Sequence, residues 1–345
     1  MAYCIQCGEV LELSDRACPA CGRAVGESSV GAARERRARP VALRMLGTMA
    51  AVVAALLGVA VLVMILRARP QLDRAQLDHV ALLASPSLVT VGPGAHPAGG
   101  IVVRAQGGAL VVVTEASHAP AGRELPVARN GHAARGLGLV IGAGLARDFA
   151  LVLVPDGASL AAAQARLAPM PKVDDLVVAL SPDRRGAGSG HVLSFEDGPG
   201  AGTLVDDAPL APDARGYGLW SADGRLAAVS ALDRRSGDGL AVAAQAMFER
   251  LLLREVPLVP GASWTETALP LAKGSRVAVV LQGSTAPQLA ARLGEHGAVV
   301  RGHEVWSGLA TLELDVGAPA PLELAGAAAA GSPPARALVV ILDRL

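Results

Sequence analysis

The chain has 345 residues, a length that suits two or three domains, and its 31 basic and 31 acidic residues cancel to no formal net charge. That balance excludes a nucleic-acid-binding surface spread over the whole molecule. With only three Trp, two Tyr and three Phe, its cores must be assembled from Val, Leu, Ile and Ala.

All four cysteines lie within the first 21 residues, which rules out a disulfide framework in the remainder. Cys4-Ile5-Gln6-Cys7-Gly8 and Cys18-Pro19-Ala20-Cys21-Gly22 each supply half of a tetrahedral thiolate site. The glycine after each pair permits the left-handed turn that aims backbone amides at sulfur. The pattern is similar to the short zinc ribbons at the N-termini of many bacterial membrane proteins. It predicts a ribbon over residues 1–25 with Zn2+ on Cys4, Cys7, Cys18 and Cys21. Four thiolates leave no coordination position open, so the metal is structural. Two disulfides are the alternative reading.

Residues 26–42, rich in Gly, Ser, Ala and Arg, read as a linker. Residues 43–67 read as a transmembrane helix: the 22 residues from 45 to 66 carry no charge and span roughly 33 Å at about 1.5 Å each. Five arginines precede this stretch (Arg34, Arg36, Arg37, Arg39, Arg44) and three follow it (Arg67, Arg69, Arg74). The bias places the N-terminus in the cytoplasm and the rest of the chain outside the inner or plasma membrane.

From residue 85 onward, short apolar runs alternate with turn residues. Runs at 88–91, 101–103, 110–113, 137–141, 150–154, 176–180 and 226–229 predict strands of an all-β barrel or sandwich. Asp238 reads as the N-cap of a helix formed by the segment after it, which would close the region near residue 255. Beyond residue 258, runs at 276–281, 298–300, 309–314 and 337–342 predict a small β-sandwich, with a short helix at 286–293. The overall expectation is a mainly β chain.

Three motifs in residues 85–255 resemble the trypsin-like serine peptidases, in particular the bacterial membrane-anchored heat-shock type. Residues 110–117 (LVVVTEAS) look like the strand and turn that carry the family's histidine. Residues 147–154 (RDFALVLV) look like the strand that carries its aspartate, and residues 207–219 (DAPLAPDARGYGL) align with the segment that carries its serine. The resemblance implies a double β-barrel. It places the triad on Ser117, Asp148 and Arg215, and the oxyanion-hole glycine on Asp213; aligning His118 with the histidine needs a one-residue insertion. Arginine is no nucleophile, and a carboxylate repels a developing oxyanion. The expectation is therefore a pseudopeptidase, not an enzyme, in which Asp213 and Arg215 pair across the old site. Such a chain would bind a protein or peptide outside the membrane while the ribbon meets a cytoplasmic partner. An active serine peptidase with displaced residues and a structural envelope protein are the alternatives. Gly188-Ser189-Gly190-His191 sets a serine near a histidine in a segment that reads as a loop. The C-terminal pattern resembles bacterial pre-peptidase and carbohydrate-binding sandwiches, which names no ligand.

Overall fold

The computed structural model describes residues 2–4, 6–12, 16–24, 57–58, 71–93, 97–139, 149–180, 188–196, 202–209, 218–230, 239–258, 264–269, 271–282, 288–306, 309–327 and 336–342. The chain divides into two units, 1–70 and 71–345. The expected linker at 26–42 and membrane span at 43–67 lie outside the described residues, apart from Leu57 and Gly58. Among the described residues, no helix is long and apolar enough to cross a membrane.

In the first unit, β1 (Ala2–Tyr3) pairs antiparallel with β2 (Val10–Leu11). Its buried hydrophobic cluster is Cys4, Leu11 and Cys18. Among the described residues this is too little apolar burial to hold a fold, so the unit is expected to need a metal at its thiolates.

The second unit begins with α1 (Arg74–Ala84). Asp73 caps it: the Asp73 carboxylate accepts the Gln76 amide at 2.8 Å, and Gln76 Oε1 accepts the Asp73 amide at 2.9 Å. The helix buries Val80 and Ala84 and leaves Leu82 exposed.

Six strands then close into a barrel: β3 (Leu88–Val91), β4 (Ala98–Gln106), β5 (Ala109–Glu115), β6 (Glu124–Arg129), β7 (His132–Leu139) and β8 (Phe149–Val154), in the order β3-β4-β5-β8-β7-β6. Side chains alternate across the wall. Val89, Val102, Leu110, Val112 and Val152 fill the interior, while Ile101, Val103, Val111, Val113 and Leu151 join a cluster outside it.

A second closed barrel follows, formed by β9 (Leu176–Leu180), β10 (Gly188–Phe195), β11 (Thr203–Asp206), β12 (Gly218–Trp220), β13 (Leu226–Ser230) and β14 (Gly239–Ala243), in the order β10-β11-β14-β13-β12-β9. Its interior is lined by Val177, Ala179, Val192, Leu204, Leu219, Ala228 and Ala241. Val178, Leu180, Trp220 and Val229 face the same outer cluster as the first barrel, so the two barrels share an apolar seam. Gly190 is required by close packing, because a Cβ there would lie 2.3 Å from the Ala208 backbone nitrogen. Two closed six-stranded barrels fit a trypsin-like double barrel.

The expected helix after Asp238 is corrected. Residues 239–243 form β14, paired with β11 and β13. A five-residue helix, α2 (Ala244–Phe248), follows, and then the chain enters β15 (Leu252–Pro257). The helix-like spacing has a different cause: Val242, Ala244, Met247, Phe248, Leu251 and Leu253 all drop into the seam cluster from three short elements. Arg104 of β4 holds the end of α2. Its guanidinium donates to the Leu251 carbonyl at 2.6 Å, to Phe248 at 2.8 Å and to Glu249 at 3.2 Å, and burial lowers its pKa from the ordinary value. These are charge-assisted bonds to carbonyls at the helix's C-terminal end, where the Phe248 carbonyl also accepts the Leu251 amide at 3.2 Å. Arg104→Met is expected to cost about 2 kcal/mol, read as a lower midpoint in urea. An unchanged midpoint would show that water replaces the guanidinium.

The C-terminal strands form a sandwich. After β15 come β16 (Thr265–Thr267), β17 (Arg276–Gln282), β18 (Gln288–Leu293), β19 (Val300–Arg301), β20 (His303–Trp306), β21 (Leu309–Asp315), β22 (Leu322–Ala327) and β23 (Arg336–Leu342). One sheet has the order β15-β23-β17-β21-β20 and the other β16-β22-β18-β19. The short helix expected at 286–293 is instead β18, whose ladder with β22 runs from Gln288 to Leu293. Strand β15 pairs with β23 along its whole length, which places residues 252–257 in the sandwich.

The five-stranded sheet is buried on both faces. Val277, Val279, Leu281, Val339 and Ile341 point into the sandwich core, and Ala278, Val280, Leu338 and Val340 point into the cluster shared with the barrels. Two-sided burial explains why these strands read as unbroken apolar runs rather than alternating ones. Gln282 Nε2 donates to Asp156 Oδ1 at 3.1 Å at the edge of this contact.

Candidate functional site

The N-terminal site is built from two copies of one turn. The Gly8 amide donates to the Cys4 carbonyl at 2.9 Å, and the Gly22 amide donates to Cys18 at 2.8 Å. Both glycines have positive φ, 81° and 68°. The turns bring the four Sγ atoms within 4.8 Å of one another. Cys4 and Cys21 lie 3.7 Å apart and Cys7 and Cys18 lie 3.5 Å apart. Zinc–thiolate bonds of about 2.3 Å put tetrahedral sulfurs roughly 3.8 Å apart, so the donor set fits a metal such as zinc. All four thiols are free, against the disulfide alternative. Amides of Gln6 and Cys7 lower the Cys4 pKa to about 6. The Glu9 amide pulls Cys7 the same way, but the Cys18 thiol and burial outweigh it and raise Cys7 to about 12. A bound cation would hold both as thiolates.

In the second unit, the end of β5 carries a polar cluster. A single 3₁₀ turn, Ala116–His118, follows the strand directly. Glu115 is its last residue, paired across the ladder with Phe149. By the strand's alternation Glu115 shares the face of Val111 and Val113, and it is only 4% exposed. The Ser117 hydroxyl donates to Glu115 Oε1. Ser117 Oγ lies 2.9 Å from His118 Nδ1, and Nδ1 lies 3.6 Å from Glu115 Oε2.

Of the residues that the resemblance singles out, Ser117 lies in this cluster, whereas Asp148, Asp213 and Arg215 lie outside the described residues. Glu115 was not anticipated; one acidic residue ending an apolar strand reads as a strand terminus. Ser189 and His191 stand in β10 rather than in a loop, and they do not form a pair of catalytic type. The Ser189 hydroxyl accepts the Leu72 amide at 3.2 Å, and His191 is 3% exposed with no hydrogen bond to its Nε2.

No family model matches the sequence. No curated protein matches it either. Among solved structures, the chain is similar to a serine endoprotease from Yersinia pestis, at 18% identity and a TM-score of 0.39, over 49% of this chain and 63% of that one. It is also similar to the Rv3671c protease in an inactive form, at 18% identity and a TM-score of 0.39, over 50% of this chain and 91% of that one. The chain thus spans less than two thirds of the first of these. The expectation that the chain is not an enzyme does not stand. The argument for inactivity stood on four positions, of which only Ser117 is described, and Ser117 is hydrogen-bonded beside a histidine.

Proposed function

We propose that this chain is a single-pass membrane protein, N-terminus cytoplasmic, whose trypsin-like double barrel engages an extended polypeptide outside the membrane. The observation that carries the reading is the Glu115–Ser117–His118 cluster, a half-buried histidine with a hydroxyl and a buried carboxylate at the strand end where the resembling family keeps its histidine. The ribbon holds a structural Zn2+ and serves as a grip for a cytoplasmic partner. The uncharged stretch at 45–66 and the arginines before it support the anchoring and its direction.

The contact of Ser117 with His118 favours a second reading, a serine-type peptidase that uses His118 as its base. Full-length protein in detergent micelles, titrated with fluorescent extended peptides, separates these from a purely structural envelope role. Saturable binding that His118→Ala weakens at least about tenfold, or about 1.4 kcal/mol, is expected. Casein hydrolysis or stoichiometric fluorophosphonate labelling would favour the peptidase. No binding at millimolar peptide would leave the structural role.

A further inference from the structure

The hydrogen bonds at the end of β5 have a definite direction. Glu115 is buried, and a carboxylate taken out of water needs donors. Ser117 supplies one to Oε1. A serine hydroxyl has a single proton, so Ser117 Oγ is left only as an acceptor toward His118 Nδ1 at 2.9 Å. Nδ1 must then carry the ring proton in neutral His118, and Nε2 carries the lone pair. Glu115 Oε2 has no hydrogen bond of its own and sits 3.6 Å from Nδ1, where its charge favours a proton on that nitrogen.

We infer that Ser117 and Glu115 are positioning residues that act in series, holding His118 as the Nδ1–H tautomer and presenting Nε2 as a proton acceptor for an O–H group bound at the double barrel. The inference deepens the proposed function by naming a base and the two groups that set it. The chain from carboxylate to imidazole runs through a hydroxyl, and all three members come from four consecutive residues, 115–118. It therefore needs no carboxylate from β8 or from the residue before it, Asp148.

The test is the tautomer itself, read by long-range 1H–15N correlation on full-length protein in detergent micelles with 15N-labelled histidine. The His118 signals are assigned by their loss in His118→Gln. At alkaline pH the Nδ1–H form is expected in the wild-type protein. Glu115→Ala is expected to abolish it, because Ser117 then turns its proton toward Nδ1 and the Nε2–H form replaces it. Asp148→Asn is expected to leave it unchanged. A wild-type Nε2–H signal overturns the inference, as does loss of the Nδ1–H form in Asp148→Asn. The wild-type spectrum decides the matter even if Glu115→Ala does not fold. Absence of peptide binding would sink the proposed function without altering the tautomer, so the two fail separately.

Discussion

Removing the Zn2+ proposed for the four-cysteine site, or replacing Cys18 with serine, is expected to unfold the N-terminal unit's described strands and knuckles. A structural zinc contributes about 10–16 kcal/mol to modules of this kind, and among the described residues the buried apolar support is Leu11 beside the two buried cysteines. The measurement is hydrogen exchange at Cys4, Gly8, Cys18 and Gly22, whose amides are bonded within the knuckles. Protection is lost on chelation and returns with one equivalent of Zn2+ per chain. The thermal transition of residues 71–345, a separate unit, does not move. If the four amides stay protected after the metal is stripped, the ribbon is held by something other than its thiolates.

The second large effect lies in the five-stranded sheet. Val280 is fully buried, on the face turned to the barrels. Val280→Asp puts an unpaired carboxylate into that contact and costs at least about 4 kcal/mol. Leu338→Ala, on the same face, costs about 2–5 kcal/mol, and Leu82→Ala, at an exposed helix position, costs almost nothing. Because one apolar cluster runs from both barrels into this sheet, calorimetry of each variant gives a single transition for residues 71–345. Two resolved transitions, with only the earlier one shifted, would show that the sandwich melts on its own.

Strands were legible wherever burial made them uniform. The runs at 276–281, 309–314 and 337–342 became β17, β21 and β23 because both faces of their sheet are covered. The fold was illegible where packing asks for small residues. β10 begins Gly188-Ser189-Gly190, which looks like a loop, yet Gly190 is there because the backbone at Ala208 crosses over it. The stretch from 239 to 257 was misread because three short elements share one apolar destination and together mimic a helical stripe. α1 was missed in the sequence: its capping box, Asp73 with Gln76, follows closely on the long uncharged stretch that dominates this region. For the sites, doubled Cys-x-x-Cys spacing is local and specifies its own geometry. The cluster at 115–118 depended on a strand ending and a 3₁₀ turn beginning at one residue, which no spacing rule encodes.

The place of β23 has a consequence for the order in which the molecule can be completed. It lies between β15 and β17, so the sheet that packs on the barrels' apolar cluster has one of its interior strands supplied last along the described chain. While the protein is being made, both barrels can close, but the part of their outer cluster that Leu338 and Val340 pack on stays open until residues 336–342 arrive. A chain halted a few dozen residues early would carry two formed barrels and a sticky face, a state prone to aggregation and open to clearance. The apolar cluster shared by the barrels and the sheet is thus complete only once β23 is in place.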